Sequence, residues 1–267
     1  MKKLWAFLKR DFLIETSYRF STLLQMGSII FTVTGYYYLA RFVGGSGFSG
    51  ENLGAQGYFA FVLIGVAVHE YLTTSLEAFS RGIRESQLAG TLGALLSTQT
   101  SLAAIILLSA AYPLIWTSFV VMFYLAVGIG IFGARFALGD LSAAGLILFL
   151  SIIAFSGLGT LSASFVMVFK RGSPVVWLFG GLSWLLGGVL YPVAVLPWWL
   201  RQASALLPIT YAIEGLRAAL LRDAPWHELW HSVGPLLLIA AIVFPLGIAS
   251  FQIAARYTRI AGTLEQY

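Results

Sequence analysis

The chain has 267 residues, of which 59% are hydrophobic and 10% charged, with a net charge of +5. Soluble domains usually carry about 25% charged residues, so 16 basic and 11 acidic side chains are too few to cover a water-soluble globule of this length. No cysteine is present, which excludes disulfides, thiolate metal sites and cysteine nucleophiles.

Residues 1–19 carry no uninterrupted apolar run and no small-residue cleavage site, so they do not read as a cleaved signal peptide. Leu4, Trp5, Leu8 and Phe12 share one helical face, with Lys2, Lys3, Lys9 and Arg10 mostly on the other. That pattern predicts an amphipathic helix lying in the membrane interface, its basic side toward anionic lipid headgroups. Hydropathy then predicts six spans at residues 20–43, 58–79, 102–132, 141–169, 174–196 and 232–255, with Pro113 kinking the third. The expected fold is all-α and polytopic, a single transmembrane domain over residues 1–267. A polar stretch follows the second span at residues 80–100. A mixed region at 197–231, punctuated by Pro197, Pro208 and Pro225, is expected to form short amphipathic helices outside.

With the N-terminus inside, Lys2, Lys3, Lys9, Arg10, Arg19, Arg81, Arg84, Lys170, Arg171, Arg256 and Arg259 fall on the cytoplasmic side. Arg41, Arg135, Arg201, Arg217 and Arg222 fall outside. That asymmetry favours cytoplasmic termini, and it accounts for the net charge without invoking nucleic acid. Gly157 and Gly159 in the fourth span permit close helix approach in lipid. In the fifth, Gly180, Gly181, Gly187 and Gly188 permit either such packing or, ahead of Tyr191-Pro192, a break and re-entry from outside.

Two stretches carry a family likeness. One runs from Arg84 and Glu85 through Gln87, Leu88, Ala89, Gly90, Thr91, Leu92, Gly93, Ala94, Leu95, Leu96, Ser97 and Thr98. The other comprises Tyr191-Pro192, Leu196 to Leu200, Leu207 to Ala212, Glu214 and Arg217. Together with the topology they resemble the membrane permease of ABC-2-type transporters, which has a cytoplasmic E-x-x-x-x-G-T-L-E-x-L-L segment and an outer P…LP…LP-x-T-Y…E-x-x-R region. Gly93 stands where the family usually has glutamate, and Gln99 where it often has proline.

The resemblance implies a bacterial-type plasma-membrane exporter subunit that moves a lipid, polysaccharide, drug or similar amphipathic cargo without being a catalyst itself. It also implies two ABC ATPase subunits as partners, together with a second permease copy or a sister permease. ATP and Mg would sit on the ATPase, and this chain would bind no cofactor. In agreement, none of the four lysines is preceded by the glycine of a G-x-x-x-x-G-K-[ST] phosphate loop. By the same resemblance, Arg84, Glu85, Leu88, Gly90, Thr91, Leu92, Leu95 and Leu96 form the ATPase-coupling segment. Its leucines make an apolar stripe at i, i+4, i+7 and i+8, which suits a partner's groove or this chain's own inner surface. Tyr191, Pro192, Pro197, Pro208, Tyr211, Glu214 and Arg217 form an outer gate or re-entrant region. Glu214 and Arg217 are spaced to pair on one helical face.

Two other chemistries compete. His227-Glu228-Leu229-Trp230-His231 spells H-E-x-x-H, two histidines for zinc with glutamate as general base, the signature of a membrane metalloprotease. It lacks a third ligand on the same side, and Trp226 and Trp230 beside it fit an interfacial aromatic belt. His69-Glu70 lies within the second span, where ionisable groups are costly. The pair suits a proton-coupled secondary transporter, or burial against neighbouring helices.

Overall fold

The structure, a computed structural model, describes residues 5, 8–9, 11–13, 19–45, 54–88, 102–137, 140–169 and 174–260. Every regular element among them is helical. The main helices are α1 (Arg19–Gly45), α2 (Gly54–Leu88), α3 (Leu102–Gly130), α4 (Leu141–Phe169) and α5 (Pro174–Leu186). A 3-10 turn at Val193–Val195 then leads to α6 (Trp198–Ser204), α7 (Pro208–Leu221) and α8 (Trp226–Ile260). Described residues before α1 are helical as well.

Four of these are long and apolar enough to cross a bilayer, within Gln56–Glu85, Ala104–Gly130, Leu141–Phe169 and Trp226–Thr258. The pair α6 and α7 meets that criterion only as one span bent by 90°. The expected fifth span, 174–196, is not one helix: α5 stops at Leu186 after 13 residues. Gly188, at φ 76°, supplies the left-handed residue that ends it. The second span also departs from expectation, since α2 continues past residue 79 as one rod to Leu88.

Helices α2 and α4 form the centre. α2 is buried without interruption from Phe59 to Val68, as expected of a helix that is apolar all round and ringed by neighbours. α4 packs most extensively on α8, and small residues allow it. A Cβ added at Gly157 would sit 2.7 Å from the backbone N of Phe244, and one at Gly247 would sit 2.5 Å from the Gly157 carbonyl oxygen. Gly159 likewise lies against α2, where a Cβ would sit 2.5 Å from the Phe79 ring. Gly180 and Gly181, by contrast, face open space.

The start of α4 is set by Asp140. Its Oδ1 accepts from the backbone N–H of Ser142 and of Ala143, each at 3.0 Å, and from the Ser142 hydroxyl. Those are the N2 and N3 donors that a helix leaves unsatisfied. Hydrogen bonding from the Ser142 hydroxyl and then from the Ala143 N–H holds this carboxyl below its ordinary range.

Proline positions the later helices. Pro197 is the N-cap of α6, Pro208 occupies the first turn of α7, and Pro225 directly precedes α8. Proline suits such places because its missing N–H has no helical partner there.

Candidate functional site

Where α5 breaks, the chain from Gly187 to Pro197 leaves α-helical geometry, with a 3-10 turn at Val193–Val195. Carbonyls released from a helix need new donors, and in lipid no water supplies them. Side chains do so in sequence order. Leu185 O accepts from the Tyr191 hydroxyl, and Leu186 O accepts from Ser204 Oγ at 2.7 Å. Gly188 O and Val189 O accept from Arg217 Nη1 and Nη2 at 2.7 and 2.8 Å. Leu190 O accepts from the Tyr58 hydroxyl at 2.8 Å, and Ala194 O from Arg201 Nη2 at 2.6 Å. The donors come from α2, α6, α7 and the break itself, so the irregular segment is tied to three helices.

Arg217 is the centre of this arrangement. It is only 7% exposed. Beyond the two carbonyls of the break, its Nε and Nη2 donate to Phe61 O at 3.1 and 2.9 Å, and its guanidinium carbon lies 3.2 Å from the centre of the Phe61 ring. Gly65 makes this contact possible. A Cβ there would stand 2.8 Å from Arg217 Nη2 and press on the Val189 carbonyl. A planar fork of donors on an aromatic face suits arginine and not lysine. The C-terminus of α5, two residues before Gly188, also presents the negative end of its dipole, which favours a cation nearby.

A second knot closes the turn between α6 and α7. Ser204 Oγ lies 3.0 Å from Thr210 Oγ1, which donates to Ser204 O at 2.9 Å. The Tyr211 hydroxyl donates to Ala205 O at 2.9 Å. The expected outer-gate residues are therefore largely brought together: Tyr191, Arg217 and Tyr211 as donors, and Pro192, Pro197 and Pro208 as starts of the 3-10 turn, α6 and α7. Glu214 remains exposed, whereas Arg217, expected to share a helical face with it, is turned inward.

Ser204, Tyr58, Phe61 and Gly65 belong to this site, although the sequence reading did not single them out. A tyrosine about one turn and a glycine about three turns into α2 were the available signals. Trp198 and Trp199 stay exposed, as an aromatic belt requires.

The other candidate residues lie apart. His69 is half-buried and faces α5, its Nε2 3.3 Å from Gly180 O and its ring edge-on to Trp184 at 4.7 Å. Glu70 lies within electrostatic reach of Tyr36, Tyr124 and Glu77 instead. The two neighbours thus point to different helices and share no partner among these. Glu77 pairs with Arg81 at 2.8 Å on an exposed surface, an interaction of little energetic weight.

His227, Glu228 and His231 are all exposed at the start of α8, and no group of three potential metal ligands gathers among the described residues. Glu228 sits in the first turn, where the helix dipole favours an acid. Arg84 and Glu85 are exposed on the last turns of α2, and Leu88 ends that helix. Gly90, Thr91, Leu92, Leu95 and Leu96 lie outside the described residues.

Residues 2–221 match the model of the family described as ABC-2 type transporter. Two curated proteins, from Escherichia coli K12 and Escherichia coli O157:H7, both carry the name "Probable multidrug ABC transporter permease YbhR". Each is 28% identical over 163 residues, which is 61% of this chain and 44% of the relative. The chain spans less than half the length of these curated relatives.

Proposed function

The chain belongs to the ABC-2 type transporter family, and we propose that it is the membrane-spanning permease subunit of an ATP-driven exporter. In this reading α1 and the broken α5–α7 region complete a six-span topology, with both termini in the cytoplasm of a bacterial-type cell. Two copies, or one copy and a sister permease, pair with two ABC ATPase subunits that hold ATP and Mg. The cargo is an amphipathic molecule of the drug or lipid kind, in keeping with the multidrug name of the relatives.

The observation that carries the reading is the break between α5 and α6. A chain that leaves the α-helix after Leu186, with carbonyls from Leu185 to Ala194 served by Tyr191, Ser204, Arg217, Tyr58 and Arg201, is what a segment dipping into the bilayer requires. Such a segment closes the path on the outer side. At the other end of the chain's central rod, α2 runs on to Leu88 and carries, exposed, Arg84 and Glu85, the first residues of the segment assigned to ATPase coupling.

The coupling segment supplies the test. Burying one leucine of the stripe in the ATPase contributes about 1.5–3 kcal/mol. Leu92→Asp places a carboxylate in an apolar groove, which costs more than the lost contact. The variant is expected to insert normally but to lose its ATPase on purification and to fail to stimulate ATP hydrolysis. A Gly50→Asp control is expected to do neither. Recovery of the ATPase with Leu92→Asp at normal stoichiometry, with stimulated hydrolysis intact, would remove the assignment.

A further inference from the structure

Described residues of the N-terminal helix lie against α3 and leave a groove of about 680 Å³ between them. Trp5 and Phe12 form one wall and Ile115, Trp116 and Phe119 the other, while Lys9 is exposed at the rim. The lining is almost wholly apolar. Trp116 is held in place by its indole N–H, which donates to Gln25 Oε1 at 3.3 Å. A void of carbon walls offers water no partners and forfeits dispersion contacts while empty. Its size falls within the range of small-molecule sites, about 300–1,000 Å³.

The depth of the groove is fixed by neighbouring contacts. Thr117, next to Trp116, donates to Thr74 Oγ1 of α2 at 2.9 Å. Thr74 lies thirteen residues along α2 from Phe61, whose carbonyl Arg217 binds, about 20 Å of helix, or two thirds of a hydrocarbon core about 30 Å thick. Tyr58 and Phe61, which hold the break, sit in the opening turns of α2. The groove therefore lies about 20 Å along α2 from the Arg217 cluster, in the opposite half of the membrane. Phe119, 59% exposed, leaves it open toward lipid. Lys9 is a cation of the lining, and a cation at a membrane surface attracts anionic headgroups.

We propose that this groove is a binding site for an anionic phospholipid, one acyl chain lying between the N-terminal helix and α3 and the phosphate meeting Lys9. In the topology proposed above this is a lipid of the cytoplasmic leaflet. It fastens the N-terminal helix to the bundle at the membrane surface.

Native mass spectrometry of the whole chain in detergent, titrated separately with phosphatidylglycerol and phosphatidylcholine, tests the site. A single phosphatidylglycerol is expected to bind about fivefold more tightly than phosphatidylcholine. Lys9→Gln is expected to abolish that preference. Ile115→Trp, which fills the groove, is expected to weaken both lipids by about tenfold or more while the chain stays resistant to carbonate extraction from membranes. Equal affinity for the two lipids in the unaltered chain, or titrations unchanged by Ile115→Trp, would overturn the proposal. Carbonate extraction of the unaltered chain would instead strike at the membrane embedding itself.

Discussion

Arg217 Nη1 donates to the carbonyl of Gly188 at 2.7 Å, so a cation of α7 binds the left-handed residue just past the end of α5. The same guanidinium reaches the Val189 and Phe61 carbonyls. One side chain thereby locks the broken helix, the central helix and α7 into a fixed relation.

Arg217→Ala should accordingly be among the most damaging single changes in this region. It strips donors from buried carbonyls, and each carbonyl left unsatisfied costs about 1–3 kcal/mol. Arg217→Lys restores a charge but not the fork or the stacking on Phe61, and should recover only part of the loss. Thermal unfolding in detergent should rank wild type above the lysine variant and the lysine variant above alanine. Equal midpoints for alanine and wild type would contradict the role.

Gly65→Ala should reproduce much of that defect without touching the arginine. Its methyl would occupy space held by Arg217 Nη2 and the Val189 carbonyl. Gly181→Ala, where nothing lies within 4 Å, is the matched control and should be neutral or slightly stabilising. Similar losses of stability at both positions would mean that helix propensity, and not the contact with Arg217, governs them.

Asp140 makes stability depend on pH. Its carboxyl is held below the ordinary range in the folded chain, first by the Ser142 hydroxyl and then by the Ala143 N–H. The folded state thus binds this proton less readily than the unfolded one. The resulting stabilisation is complete above the ordinary carboxylate range and is lost as pH falls through the depressed value. Asp140→Asn keeps a capping oxygen but cannot titrate, so its unfolding midpoint should fall less steeply than that of wild type under acid. Parallel acid limbs for the two proteins would exclude the effect.

Gln202 and Asp223 are exposed at the two ends of the α6–α7 region. In the proposed topology, cysteines placed there singly should react with an impermeant maleimide added to intact cells. The parent chain carries no cysteine to confuse the result. Labelling only after the cytoplasmic side is opened would reverse the assignment of this region.

The membrane character and helical class were legible from the sequence, because scarce charge and long apolar runs are local properties that only helices satisfy in lipid here. Proline placement made the starts of α6 and α7 readable for the same reason, since the missing N–H acts where it stands, whereas the last helix, expected from residue 232, begins at Trp226. Spacing also showed that Gly157 and Gly159 permit close approach, but not which helices would come near; the fold brings them against α8 and α2.

The break after Leu186 lay among several glycines that spacing alone read equally well as packing residues, and hydropathy carried the fifth span ten residues too far. Arg217 shows the boundary most clearly. Its three-residue spacing from Glu214 suggested a pair on one helical face, because local periodicity reports only which residues share a face. The carbonyls that draw it inward belong to residues 28, 29 and 156 positions away in the chain. Only the packing of α7 between the broken helix and α2 brings those acceptors to one place, and a buried cation goes where acceptors already stand.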